Sequence, residues 1–253
     1  DDAIVDLPFG GPSLPVGRLT TEGLPKILFL GLDTFLLDGS AGVSTEATFV
    51  TSFLDPLTTY QFTGETEDKL IIEGLDGADD RLLVVQTSGT TRVVDTNSGA
   101  RVESFAPSPL GQLELSGLGG DDVFIVDVEQ ASGREMITPP IFVDGGTGDD
   151  NLNVRGNPPV AVDEVIYAPG PNTTDGRLTY EDAADVQLMQ IDFVNLEPLR
   201  DFVPAASLRI EGTEAANNFE LRGASGAVDE CREFVGSTAY NGIRIRPWSH
   251  RQR

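Results

Sequence analysis

Cysteine, histidine, methionine and tryptophan are almost missing from this chain. Its 253 residues include one cysteine, one histidine, one tryptophan and two methionines. A lone Cys231 excludes an internal disulfide framework and reads as a small buried apolar side chain. His250, the single histidine, lies in the terminal tail, where it is badly placed for a Ser-His-Asp arrangement. Basic residues are scarce as well, 17 Lys and Arg against 41 Asp and Glu, for a net charge of -24. That charge repels nucleic acid and anionic membranes, so neither is an expected partner. It suits cations, calcium above all, and it suits solubility. No apolar run of about 18 residues occurs, so no membrane span is predicted. No Gly-Lys-Ser or Gly-Lys-Thr is present, and Gly117-Leu-Gly-Gly120 opens a strand pattern instead of a helix, so neither nucleotide-binding loop is predicted. Helical periodicity is nearly absent too, the best short candidate being Tyr180 to Gln187.

What is present is turn and strand. The chain holds 28 Gly and 16 Pro, and its 39% hydrophobic content is enough for a core. Gln112–Leu115, Val123–Val128, Leu152–Val154, Ser207–Ile210 and Phe219–Leu221 alternate at period two, the mark of half-buried strands. Five segments share one pattern: a Gly-rich turn, an acidic or amide pair, then an apolar strand. They begin at Gly64, Gly74, Gly117, Gly145 and Gly212. Recurring strand-turn units predict a repetitive all-β architecture. The step between pairs is irregular. Asp68 to Asp80 is 12 residues, Asp80 to Asp122 is 42, Asp122 to Asp150 is 28, and Asp150 to Asn218 is 68. The units must therefore carry insertions of different length.

A second echo joins Phe29-Leu-Gly-Leu-Asp33 to Phe193-Val-Asn-Leu-Glu197. Near the end, Phe234 followed by Ile243-Arg-Ile245 repeats the relation of Phe105 to Leu113-Glu-Leu115. The pattern runs off the C-terminal end, and the chain opens on Asp1-Asp2, which together predict a piece of a longer protein. Residues 229–253 differ from the rest. They carry five arginines and three acids, a basic segment on an acidic body and the start of a further repeat, where residues 1–228 form the repetitive acidic β domain.

Gly145-Gly-Thr-Gly-Asp-Asp-Asn-Leu-Asn153 fits the nonapeptide Gly-Gly-x-Gly-x-Asp-x-apolar-x at every fixed position. Glycines let the turn take positive φ, the Asp offers a hard anionic oxygen, and the apolar residue plugs the interior. Gly117, Gly120, Asp122 and Phe124 follow the pattern less closely, and Asp80 with Leu82 matches its second half. Through these residues the chain resembles the hemolysin-type (RTX-like) calcium-binding repeats and, more loosely, large repetitive bacterial surface proteins. The resemblance implies calcium as cofactor, held by Gly145, Gly148 and Asp150, with Asp122 next and then Asp80. Calcium takes six to eight oxygens, so a site needs a second turn stacked on the first. The competing role for each Asp is to cap turn amides ahead of a strand.

The fold expected is all-β, a parallel β-helix or irregular β-solenoid whose interior holds Leu70, Ile72, Leu82, Val84, Phe124, Val126, Leu152, Val154, Phe219 and Leu221. The alternative is a pair of antiparallel β-sandwiches divided at Ala106–Leu110. The expected function is a non-catalytic structural or adhesive segment of a secreted, extracellular or cell-surface repeat protein stiffened by calcium, with self-association or cell-surface and matrix components as its partners. A carbohydrate-active β-helix enzyme or its accessory domain, and a self-assembling filament subunit, are the alternatives. Acids are too numerous for any one pair to be selected as a glycosidase dyad. Asn172-Thr-Thr174 has the form of a glycosylation sequon but reads first as a polar turn after Pro169-Gly-Pro171.

Overall fold

The computed structural model describes residues 33–38, 45–50, 54, 56–105 and 110–212, together with the backbone of four further strands, three before residue 31 and one at 243–246. The protein is all-β, built as two mixed sheets. Three strands open the first sheet, β1 (Ala3–Asp6), β2 (Val16–Thr21) and β3 (Ile27–Leu30). The chain then alternates: β4 (Thr34–Asp38) in the second sheet, β5 (Glu46–Val50) in the first, β6 (Thr59–Thr63) in the second, β7 (Lys69–Glu73) in the first. The second sheet next receives β8 (Arg81–Thr87), β9 (Thr90–Asp95) and β10 (Arg101–Phe105) together. Alternation resumes with β11 (Gln112–Ser116), β12 (Val123–Asp127), β13 (Ile141–Asp144) and β14 (Asn151–Arg155). The first sheet then takes β15 (Val162–Pro169), β16 (Gly176–Glu181) and β17 (Gln187–Val194) together. The second sheet ends with β18 (Leu199–Asp201), and the first with β19 (Ala205–Glu211) and β20 (Ile243–Arg246).

Each alternating step returns the chain beside its previous strand, in parallel. β5, β7, β11, β13 and β17 form one such parallel run, and β8, β12, β14 and β18 another. Two antiparallel excursions interrupt the runs, β8–β9–β10 in the second sheet and β15–β16–β17 in the first. They are the insertions that the irregular sequence steps require. Both sheets are continuous between strands before and after Ala106–Leu110, since β11 pairs with β7 in the first and β12 with β8 in the second. Two antiparallel sandwiches divided at that point are therefore excluded.

Hydrophobic alternation decides which face of each strand turns inward. Leu70, Leu113, Ile141 and Ile191 align across the first sheet, and Ile72, Leu115, Val143 and Phe193 align beside them. Leu82, Phe124 and Leu152 face them from the second sheet, with Val84, Val126 and Val154 alongside. All of these side chains are buried, including the eight described residues named as interior from the sequence. Phe219 and Leu221 lie outside the described residues. Burying one such side chain stabilises by about 1.5–3 kcal/mol. A one-residue slip would turn the whole row to solvent, so the core fixes the register.

The helical candidate Tyr180 to Gln187 instead comprises the end of β16, the turn at 182–186 and the first residue of β17. Asp182 accepts from the amides of Ala184 at 2.8 Å and Val186 at 3.0 Å, and Asp185 takes φ 58°. A short polar side chain bonded to nearby amides competes with helix there. No α-helix occurs among the described residues, and none of their helices is long and apolar enough to cross a membrane. The basic segment 229–253 lies outside the described residues except for the backbone of β20, which pairs in parallel with β19.

Candidate functional site: an acidic column at one corner

The glycine turns that lead from the first sheet to the second stack on one corner. Gly74–Asp80 joins β7 to β8, Gly117–Asp122 joins β11 to β12, and Gly145–Asp150 joins β13 to β14. The Gly64–Asp68 segment joins β6 to β7 and so falls on the opposite corner, out of the column. There Asp68 caps its own turn through Glu65 N at 2.6 Å and accepts from Thr45 N at 2.7 Å. Apart from Gly212, the Gly212–Leu221 segment lies outside the described residues.

Three of the residues named from the nonapeptide, Asp80, Asp122 and Asp150, therefore come together. All three are buried, Asp122 completely. The backbone amide of Asp80 donates to Asp122 Oδ1 at 2.7 Å, and the amide of Asp122 donates to Asp150 Oδ1 at 2.8 Å. The acid ahead of each one forms a second, exposed column running the other way. There the amide of Asp121 donates to Asp79 Oδ1 at 2.9 Å, and that of Asp149 to Asp121 Oδ1 at 3.0 Å. Sequence reasoning missed this outer column, although the doubled acids at 79–80, 121–122 and 149–150 carry its signal. Alternating directions tie each corner to the next in both senses.

Glycine is needed here for space. A Cβ on Gly117 would stand 2.1 Å from Asp122 Oδ2 and 2.6 Å from the carbonyl oxygen of Gly145. One on Gly145 would meet the carbonyl oxygen of Asn195 at 2.1 Å and Asp150 Oδ2 at 2.8 Å. Each carboxylate thus folds back over the glycine that opens its own turn. Gly148, at φ +141°, brings backbone against backbone, since a side chain there would lie 1.8 Å from the Gly120 carbonyl oxygen.

The second carboxylate oxygens differ between corners. Asp80 Oδ2 accepts from Leu75 N at 2.6 Å. Asp122 Oδ2 and Asp150 Oδ2 are buried with no hydrogen-bond partner. Burial pushes the Asp122 carboxyl up to about 7, the bond from the Asp80 amide pulls against it, and the charges of Asp150, Asp80 and Asp79 add to the rise. Burial likewise raises Asp150, opposed by the Asp122 amide and aided by Asp121, Asp149 and Asp144. Asp80 is raised by burial, opposed by its Leu75 bond. An unpartnered buried carboxylate oxygen is costly and calls for a proton or a cation. No group of three or more His, Cys, Asp or Glu side chains is arranged to hold a metal ion among the described residues.

A contrasting acid sits on the outer face of the second sheet. Asp127 receives Arg134 and, at 2.9 Å, Arg155. Burial pushes its carboxyl up, but the two guanidinium groups and the Glu129 amide outweigh that and hold it below the usual range. Arg134 belongs to a strap after the 3-10 turn Gln130–Ser132. Farther along the strap, Glu135 accepts from the amides of Ser88 and Gly89, each at 3.2 Å, at the tip of the β8–β9 hairpin. No motif marked these residues.

A scan against protein-family models, a search of the curated proteins and a search of the solved structures each found no match to this chain.

Proposed function

We propose that this chain is a non-catalytic structural segment, an irregular β-solenoid of the kind that builds stalks or matrices outside cells. One observation carries the reading. Corners 42 and 28 residues apart in sequence lie one strand apart in space, joined by bonds from Asp80 N to Asp122 and from Asp122 N to Asp150. The buried acids of this corner act first as rung-to-rung fasteners, a use that suits a load-bearing stack. Strands about 4.8 Å apart give the eight-stranded second sheet a length of roughly 34 Å along the stacking direction. Stretching single molecules held at both termini tests it. A stack of this kind gives a distinct force peak, and smooth extension without one overturns the reading.

A second reading adds calcium, and the unpartnered oxygens of Asp122 and Asp150 favour it. Each shares the crowded space over one turn glycine, Gly117 and Gly145 respectively, with a backbone carbonyl oxygen of the next corner, that of Gly145 and of Asn195. Hard oxygens of this type are what calcium takes. On this reading calcium raises the unfolding midpoint of the wild type, EGTA reverses the rise, and Asp122→Ala abolishes it. Equal midpoints with calcium and with EGTA remove the calcium clause and leave the structural one standing.

A further inference from the structure

We draw no further inference here: the strongest candidate, the apolar cavity of about 380 Å3 between β18 and the β15, β16 and β19 strands, lined by Tyr167, Leu178, Leu199, Asp201, Leu208 and Ile210, carries nothing because nothing in the structure shows what covers it.

Discussion

The amide of Asp122 donates to Oδ1 of Asp150, 28 residues later, at 2.8 Å, and both residues are buried. The same Asp122 accepts through its own Oδ1 from Asp80, 42 residues earlier. One residue therefore fastens three successive corners. A hydrogen bond of this type contributes on the order of 1 kcal/mol, less than one buried core side chain. The core accordingly supplies most of the stability, and the column fixes how the corners sit on one another.

Substitution at Asp122 separates its two oxygens. Asp122→Asn keeps an acceptor for the Asp80 amide and removes the buried, unpartnered carboxylate oxygen. Its stability at pH 8 is expected to equal or exceed that of the wild type. Asp122→Ala leaves the Asp80 amide buried without a partner and costs about 1–3 kcal/mol. Urea unfolding of both variants checks this. Equal losses would mean that the acceptor role is wrong.

The raised carboxyls give stability a definite pH dependence. Asp122 binds its proton up to about pH 7 when folded and to about pH 3.9 when unfolded. Between those values the folded state holds more protons, so stability falls as pH rises through that window. Asp80 and Asp150 act in the same direction. Asp127 acts oppositely, because its carboxyl is lowered when folded, and its contribution is lost only as pH falls below the usual carboxylate range. The urea midpoint, measured in EGTA, is expected to be higher at pH 5.5 than at pH 8. The difference shrinks in Asp122→Asn.

Two glycines test space against backbone conformation. Gly133 takes φ 73° with nothing near a prospective Cβ, so Gly133→Ala is expected to cost about 1 kcal/mol from conformation alone. Gly117→Ala puts its methyl 2.1 Å from Asp122 Oδ2, which forces the carboxylate off the column. Thermal unfolding should show the larger loss for Gly117→Ala, and the double variant Gly117→Ala with Asp122→Ala should recover part of it.

The strap gives a local prediction. Glu135 accepts from both tip amides of the hairpin, where Ser88 and Gly89 each have positive φ, as a two-residue turn of this hand needs. Glu135→Ala is expected to speed hydrogen exchange at those two amides while that of core strands such as β12 is unchanged. Uniform acceleration across the protein would instead mean global destabilisation.

Much of the architecture was legible because a period-two pattern reports directly on burial. Leu82, Val84, Phe124, Val126, Leu152 and Val154 all point inward as their alternation required. The echo between Phe29–Asp33 and Phe193–Glu197 also has a structural meaning, for each leads from a first-sheet strand to a second-sheet strand. The Gly64–Asp68 segment looked equivalent to the others but occupies the opposite corner, since composition alone does not say which way a turn crosses. Tyr180–Gln187 failed as a helix because Asp182 binds nearby amides. In the site, the sequence located Asp80, Asp122 and Asp150, yet not that Oδ1 of Asp122 and of Asp150 accepts the amide of a neighbouring corner while Asp80 caps its own turn through Oδ2. That depends on the spatial step between turns, which insertions of unequal length conceal.

The central claim, that buried carboxylates fasten each corner to the next, is tested most directly by amide hydrogen exchange at Asp122 in the wild type and in Asp150→Ala. The account predicts slow exchange at Asp122 in the wild type and marked acceleration in the variant, with the Asp80 amide still protected by Asp122. Fast exchange at Asp122 in the wild type, or no change on removing Asp150, would contradict it.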